Sequence, residues 1–212
     1  MPYKLLIFDL DGTLVDSYEA IQDALSYAMT ALGFAPWPPE ETKRRVGRGL
    51  EVLMEEAVGA NNIIESVRLF RERYPQVFLD KTALLPGVVK TILALKARGK
   101  TLAVATNKPS DFSRRILDHV GLGPYFNLVL GPLDVPRPKP YPDMLNRILA
   151  DLKFRPDETL YIGDMTLDAE SAANAGLACL LLATGGNTRE ELEATGRPVL
   201  GSIDRLLTWE EL

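Results

Sequence analysis

The chain has 212 residues, and 24 Lys and Arg against 29 Asp and Glu give a formal net charge of −5. Apolar residues make up 46% and charged residues 25%, a folded globular balance, and at roughly 150 residues per domain the length suits one large domain or one carrying an insertion. The acidic balance argues against DNA held through its phosphates, the lone Cys179 and lone His119 exclude an internal disulfide and a thiolate-rich or multi-histidine metal site, and no apolar run approaches the roughly 20 residues of a bilayer span.

The run KLLIFDL, residues 4 to 10, predicts a strand buried on both faces. Asp9 and Asp11 interrupt its apolar character, so no signal peptide is expected and the chain is read as cytoplasmic, with no membrane partner. From 17 to 81 no strand is predicted. Ile21, Ala24, Leu25, Ala28 and Leu32 keep helical spacing, Pro36 to Pro39 reads as a loop, and helices are predicted over 50–58 and 63–77. Beyond this insertion, helices predicted over 86–98, 110–120, 143–152 and 167–175 alternate with short apolar runs at 101–106, 128–130, 159–162 and 179–183. That alternation predicts an α/β fold, a doubly wound, Rossmann-like, mainly parallel sheet covered on both faces. The core domain is expected to take residues 1–16 and 82–212, and a helical cap domain residues 17–81.

Ligands of open parallel sheets bind beyond the carboxyl ends of the strands. The residues expected there are Asp9 and Asp11, Thr106 and Asn107, and Asp164 and Asp168. Clustered carboxylates resist ionisation unless they share a proton or hold a hard cation. An oxygen-only set with no nearby His or Cys suits Mg²⁺ far better than Zn²⁺. Lys139 in the Pro-rich loop 132–142, the Thr106 hydroxyl, and the backbone of the Gly12-Thr13 and Asn107 turns would then complete a cradle for a phosphate. Inside such a cradle Asp9 is placed to act as a nucleophile, and Asp11, two residues on, as an acid and base.

These residues resemble a known pattern. The run FDLDGTLVDS, residues 8 to 17, is similar to the first motif of the haloacid dehalogenase superfamily; Thr106-Asn107 resembles its second, Lys139-Pro140 its third, and Gly163-Asp164 with Asp168 its fourth. The order and spacing agree along essentially the whole chain. The resemblance implies a phosphatase in which Asp9 is nucleophile and metal ligand, and Asp11 is acid and base with its backbone carbonyl on the metal. Thr106 and Lys139 would hold the phosphoryl group, and Asp164 would ligate Mg²⁺. Asp168 is read either as a further ligand, direct or through water, or as a helix cap supporting Asp164. Arg137-Pro138 precedes the lysine where the family usually has glycine, and Met165 follows Asp164 where a small hydroxyl residue is common.

The stretch RRVGRGL, residues 44 to 50, is similar to the cap loop of phosphoglycolate phosphatases, which implies that Arg45 and Gly47 contact substrate. An exposed helical arginine is otherwise ordinary solvated surface. The expected partner is a small phosphorylated metabolite, phosphoglycolate first, with the chain a monomer or homodimer. Two other readings stay open: a phosphomutase of the β-phosphoglucomutase type, and a phospho-accepting receiver module. The connections near 15–17 and 80–86 are the expected hinges of a cap that opens and closes.

Overall fold

A computed structural model describes residues 3–210 and 212. Six strands form one parallel sheet in the order β5-β4-β1-β6-β7-β8: β1 Leu5–Phe8, β4 Thr101–Ala105, β5 Leu128–Leu130, β6 Thr159–Gly163, β7 Ala178–Leu182 and β8 Val199–Leu200. β1 lies at the centre, with Leu5 opposite both Thr101 and Thr159. Successive strand residues point to opposite faces, and here both sets are apolar. Leu6, Phe8, Val104 and Ile162 face one core, while Leu5, Ile7, Ala105 and Leu181 face the other. α5 (Val88–Ala97) and α6 (Ser110–His119) bury Ile92 and Ile116 in the first core; α7 (Asp143–Leu152) and α8 (Thr166–Asn174) bury Ile148 and Ala172 in the second. The sheet is therefore doubly wound, as the alternation predicts.

Between β2 (Val15–Asp16) and β3 (Ala83–Leu84), which pair antiparallel, lie four helices: α1 Tyr18–Ala31, α2 Pro39–Arg45, α3 Leu50–Val58 and α4 Ile63–Val77. All four fall within 17–81. α2 is absent from the sequence reading, which assigns no element between the proline loop and residue 50. Its signals are nonetheless present: a proline at the first helical position, Glu40 and Glu41 in the first turn, and Lys43, Arg44 and Arg45 in the last, each matching the helix dipole. The two-residue β2, β3 and β8 and the charged five-residue α9 (Arg189–Glu193) are likewise absent from the sequence reading, because they are too short or too polar to show an apolar run. No helix of the described residues is long and apolar enough to cross a membrane.

A charge cluster ties α1 to the end of α4. Asp23 Oδ1 accepts from Arg73 Nε at 2.6 Å, and Asp23 Oδ2 from Lys81 Nζ at 2.8 Å. The Arg73 hydrogen bond, reinforced by Lys81, lowers the Asp23 carboxyl from 3.8 to about 2. A depressed carboxylate adds stability that is complete above its unfolded value and is lost as pH falls through the folded one. After discounting for solvent screening, Asp23→Asn is expected to cost about 1 kcal/mol near neutral pH. Urea denaturation of both proteins should show that gap closing between about pH 4 and pH 2; a gap independent of pH would remove the ion pair as its cause.

Candidate active site

The carboxyl ends of β1, β4 and β6 bring Asp9, Thr106 and Asp164 to one edge of the sheet, because each follows directly on its strand. The continued ladder holds the first of them: Asp9 N donates to the Ile162 carbonyl at 2.8 Å. Asp9, Asp164 and Asp168 are buried, and one carboxylate oxygen of each lies within 4.8 Å of the others. Asp9 Oδ1 accepts from Leu10 N at 2.7 Å, and Oδ2 lies 2.9 Å from Lys139 Nζ. Lys139 Nζ also reaches Asp168 Oδ1 at 2.8 Å and Tyr161 Oη at 3.1 Å. Burial alone would lower the Lys139 ammonium, but Asp168 and Asp9 raise it above the ordinary lysine range. Burial raises the Asp9 carboxyl from 3.8 to about 6 against the pull of Lys139. Burial, then repulsion from Asp168 and Asp9, drives Asp164 well above its ordinary value.

The bonding of Asp164 is incomplete. Its Oδ1 accepts from Thr13 Oγ1 at 2.6 Å, whereas the buried Oδ2 has no hydrogen-bond partner. Two glycines make room for that oxygen. A Cβ on Gly12 (φ +81°) would lie 2.4 Å from Oδ2, and one on Gly185 would lie 1.6 Å away. A buried, unpaired carboxylate oxygen beside a second buried carboxylate is the donor set of a hard cation, so these residues fit a divalent ion.

Asp168 has little left to offer such an ion. Besides Lys139, its Oδ1 accepts from Tyr161 Oη at 2.9 Å, and its Oδ2 accepts from the N–H groups of Asp164 (3.1 Å) and Met165 (3.0 Å). It caps α8 and orients the Asp164 backbone, the supporting alternative of the sequence reading. Asp11 stands outside the three-carboxylate group. Its side chain accepts from Ser17 Oγ and pairs with Lys108 Nζ at 2.7 Å. Thr106 is buried, accepts from Lys108 N at 3.2 Å through its Oγ1, and lines the cavity described below.

Of the expected substrate contacts, Asn107 and Gly47 line the cavity described below, whereas Gly12 and Arg45 do not. Gly12 N donates to Val15 O (2.8 Å) and Thr13 N to Leu10 O (3.3 Å), so these donors close the turn and are not presented to an anion. Gly12 serves the site by its missing side chain. Asn107 Nδ2 donates to Gly47 O (3.0 Å) and Lys139 O (3.2 Å), and its Oδ1 accepts from Lys139 N (3.0 Å). Its side chain thus binds the Gly47 loop to the lysine loop. Gly47 lines the cavity, where a Cβ would lie 2.2 Å from Met165 Sδ. Arg45 does not line it: the guanidinium is held by Glu41 and by Glu56 (3.0 Å) and stacks over Trp37. Its neighbour Arg48 lines the cavity instead.

Two residues absent from the sequence reading are central. Lys108 is buried, and its ammonium, lowered by burial, is raised further by Asp11. Its signal was its place directly after Thr106-Asn107, where acids gather; a loop lysine is ordinarily solvated. Tyr161 sits inside an apolar strand run, and nothing in the sequence marks its hydroxyl as a partner of Lys139 and Asp168.

A cavity of about 370 Å³ lies over Asp9, Asp11, Thr106 and Lys108, between the sheet edge and the inserted helices. The model of the haloacid dehalogenase-like hydrolases matches residues 6–182. The chain belongs to this family. This haloacid dehalogenase-like hydrolase is therefore an enzyme. It is 35% identical to the phosphoglycolate phosphatase of Vibrio parahaemolyticus, covering 96% of this chain and 94% of that one. It is 33% identical to the phosphoglycolate phosphatase of Aquifex aeolicus, covering 86% and 85%. Among solved structures, a predicted phosphoglycolate phosphatase from Haemophilus somnus superposes with a TM-score of 0.92 at 28% identity, over 97% of both chains.

Proposed function

We propose that this hydrolase cleaves a small phosphomonoester through an aspartyl-phosphate on Asp9, with Mg²⁺ as cofactor, and that phosphoglycolate is the first substrate to assay. The observation that carries the reading is the unpartnered, buried Asp164 Oδ2 beside Asp9, with Lys139 on the other side of the same carboxylate. Asp9 and Asp164, with the Asp11 carbonyl, would hold the cation. When bound, it offsets the negative charge of the two carboxylates and of the phosphate.

In the first half-reaction an Asp9 oxygen forms a bond to phosphorus as the bond to the ester oxygen breaks. That oxygen leaves as an alcohol with a proton from Asp11. In the second, Asp11 takes a proton from water, the hydroxide oxygen bonds to phosphorus, and the Asp9–phosphorus bond breaks to release phosphate. Lys139 and the Thr106 hydroxyl are placed to receive the charge of the transferring group, work that dominates catalysis of phosphoryl transfer. Lys108 and Ser17 aim the Asp11 carboxyl. Asp168 acts through Lys139 and the Asp164 backbone. The helices α1 to α4 form a cap that closes over the cavity about 15–17 and 80–86.

The test is phosphate release from a panel of phosphomonoesters, phosphoglycolate included, with and without Mg²⁺. Mg²⁺-dependent release is expected; isomerised sugar phosphates without release would favour the phosphomutase, and a long-lived phospho-form without turnover the receiver module. Gly185→Ala supplies a second test. The added methyl would displace Asp164, so the Mg²⁺-induced rise in thermal midpoint should shrink, with apparent affinity down at least about tenfold. An unchanged Mg²⁺ response would remove Asp164 from the metal site.

A further inference from the structure

The walls of the cavity contrast with its floor. Above Asp9, Asp11, Thr106 and Lys108, the lining comes largely from apolar side chains: Ile21 of α1, Val46 directly after α2, Leu50 and Leu53 of α3, Phe70 of α4 and Phe112 of α6. Two further lining residues, Val52 and Leu133, are large apolar groups left 38% and 84% exposed. Val52 belongs to α3 and Leu133 to the loop following β5, so apolar surface stands on both sides of the opening. Exposed apolar side chains lining a cavity over a reactive centre mark a place that a ligand covers. Arg48 brings one guanidinium to the wall, while the other charged pair of the wall cancels. Arg71 is engaged by Glu51 at 3.1 Å, and Glu51 itself lines the cavity, where it opposes a second carboxylate. The volume of about 370 Å³ falls within the range that encloses ligands far larger than a two-carbon acid.

We infer that the site takes phosphomonoesters whose leaving alcohol carries an aromatic or branched aliphatic body, the phosphate resting on the polar floor and the body against the Leu50, Leu53, Phe70 and Phe112 wall. The inference rests on the phosphatase reading and names the substrate class that the wall selects. Burying a phenyl ring there lowers the transition-state free energy without altering the chemistry at phosphorus.

The experiment compares ethyl phosphate with 2-phenylethyl phosphate, whose leaving alcohols are of nearly equal acidity. With Mg²⁺ present, kcat/KM for the phenylethyl ester is expected to be at least about tenfold higher. Val52→Asp and Leu133→Asp, both at exposed positions that tolerate a charge, should each reduce that ratio at least about threefold. Calorimetric titration of Asp9→Asn with the two esters gives a reading independent of turnover, and the phenylethyl ester should again bind about tenfold more tightly. Equal kcat/KM for the two esters would overturn the apolar-wall inference while leaving the phosphatase reading intact. Preferential binding of the phenylethyl ester without hydrolysis of either would overturn the phosphatase reading and leave the wall's preference standing.

Discussion

Asp9→Asn is expected to lower kcat for phosphomonoester hydrolysis by roughly 10³-fold or more, with the fold retained. The amide nearly matches the carboxylate in shape but cannot form the phospho-intermediate. The fold survives because Lys139 keeps its 2.8 Å partner Asp168 when the Asp9 charge is removed. The direction of the stability change follows from linkage. Burial raises Asp9 from 3.8 to about 6, so the native state binds that proton more tightly than the unfolded chain does. Ionised Asp9 therefore costs the metal-free protein stability, a cost fully present above about pH 6 and absent below the ordinary value. At pH 7.5 without Mg²⁺ the variant should melt no lower than the parent, and it should gain less from added Mg²⁺. Steady-state kinetics and thermal denaturation check both halves; retained turnover would end the role of Asp9 as nucleophile.

Lys139→Met should have the largest effect on stability. The ammonium is 2% exposed and lies 2.9 Å from Asp9 Oδ2 and 2.8 Å from Asp168 Oδ1. Removing it leaves two buried carboxylates facing each other across an apolar side chain. Breaking a buried pair from one side costs about 3–5 kcal/mol, because the surviving charge has neither water nor counter-charge. For a chain of this size that corresponds to a fall in thermal midpoint of roughly 10 °C. Activity should fall with it, since in the proposed mechanism the same ammonium receives the charge of the phosphoryl group. The double variant Lys139→Met with Asp168→Asn removes one stranded charge and should recover part of the stability but none of the activity. A single-variant loss below about 1 kcal/mol would show that Lys139 does not neutralise these acids.

The gathering of polar residues at one edge of the sheet was legible in the sequence because each follows directly on a strand. Asp9, Thr106 and Asp164 follow apolar runs, and a parallel sheet sends all such ends to one edge. The doubly wound sheet was legible for the same reason: both strand faces are apolar, so both need helices over them. α2 escaped because prolines mask a helix start, although the charges within the helix obey the dipole. Arg45 was misplaced by a different cause. Residue type and loop position did not reveal that Glu41 and Glu56 hold its guanidinium, since Glu56 lies one helix further on.

Residue types and their order along the chain already supplied the chemical groups: two acids two residues apart, an oxygen-only set suited to a hard cation, and a lysine to balance them. These depend on residue type and strand order, which local patterning carries. How these groups pair with one another follows from the packing of the folded chain. Lys108 turned to Asp11, Asp168 became spent on Lys139 and the α8 cap, Gly12 and Gly185 opened space around one oxygen of Asp164, and an apolar wall rose over the phosphate floor. Such roles are set by distances between residues up to 173 positions apart in the chain (Gly12 and Gly185), and no periodicity in a one-dimensional string encodes them.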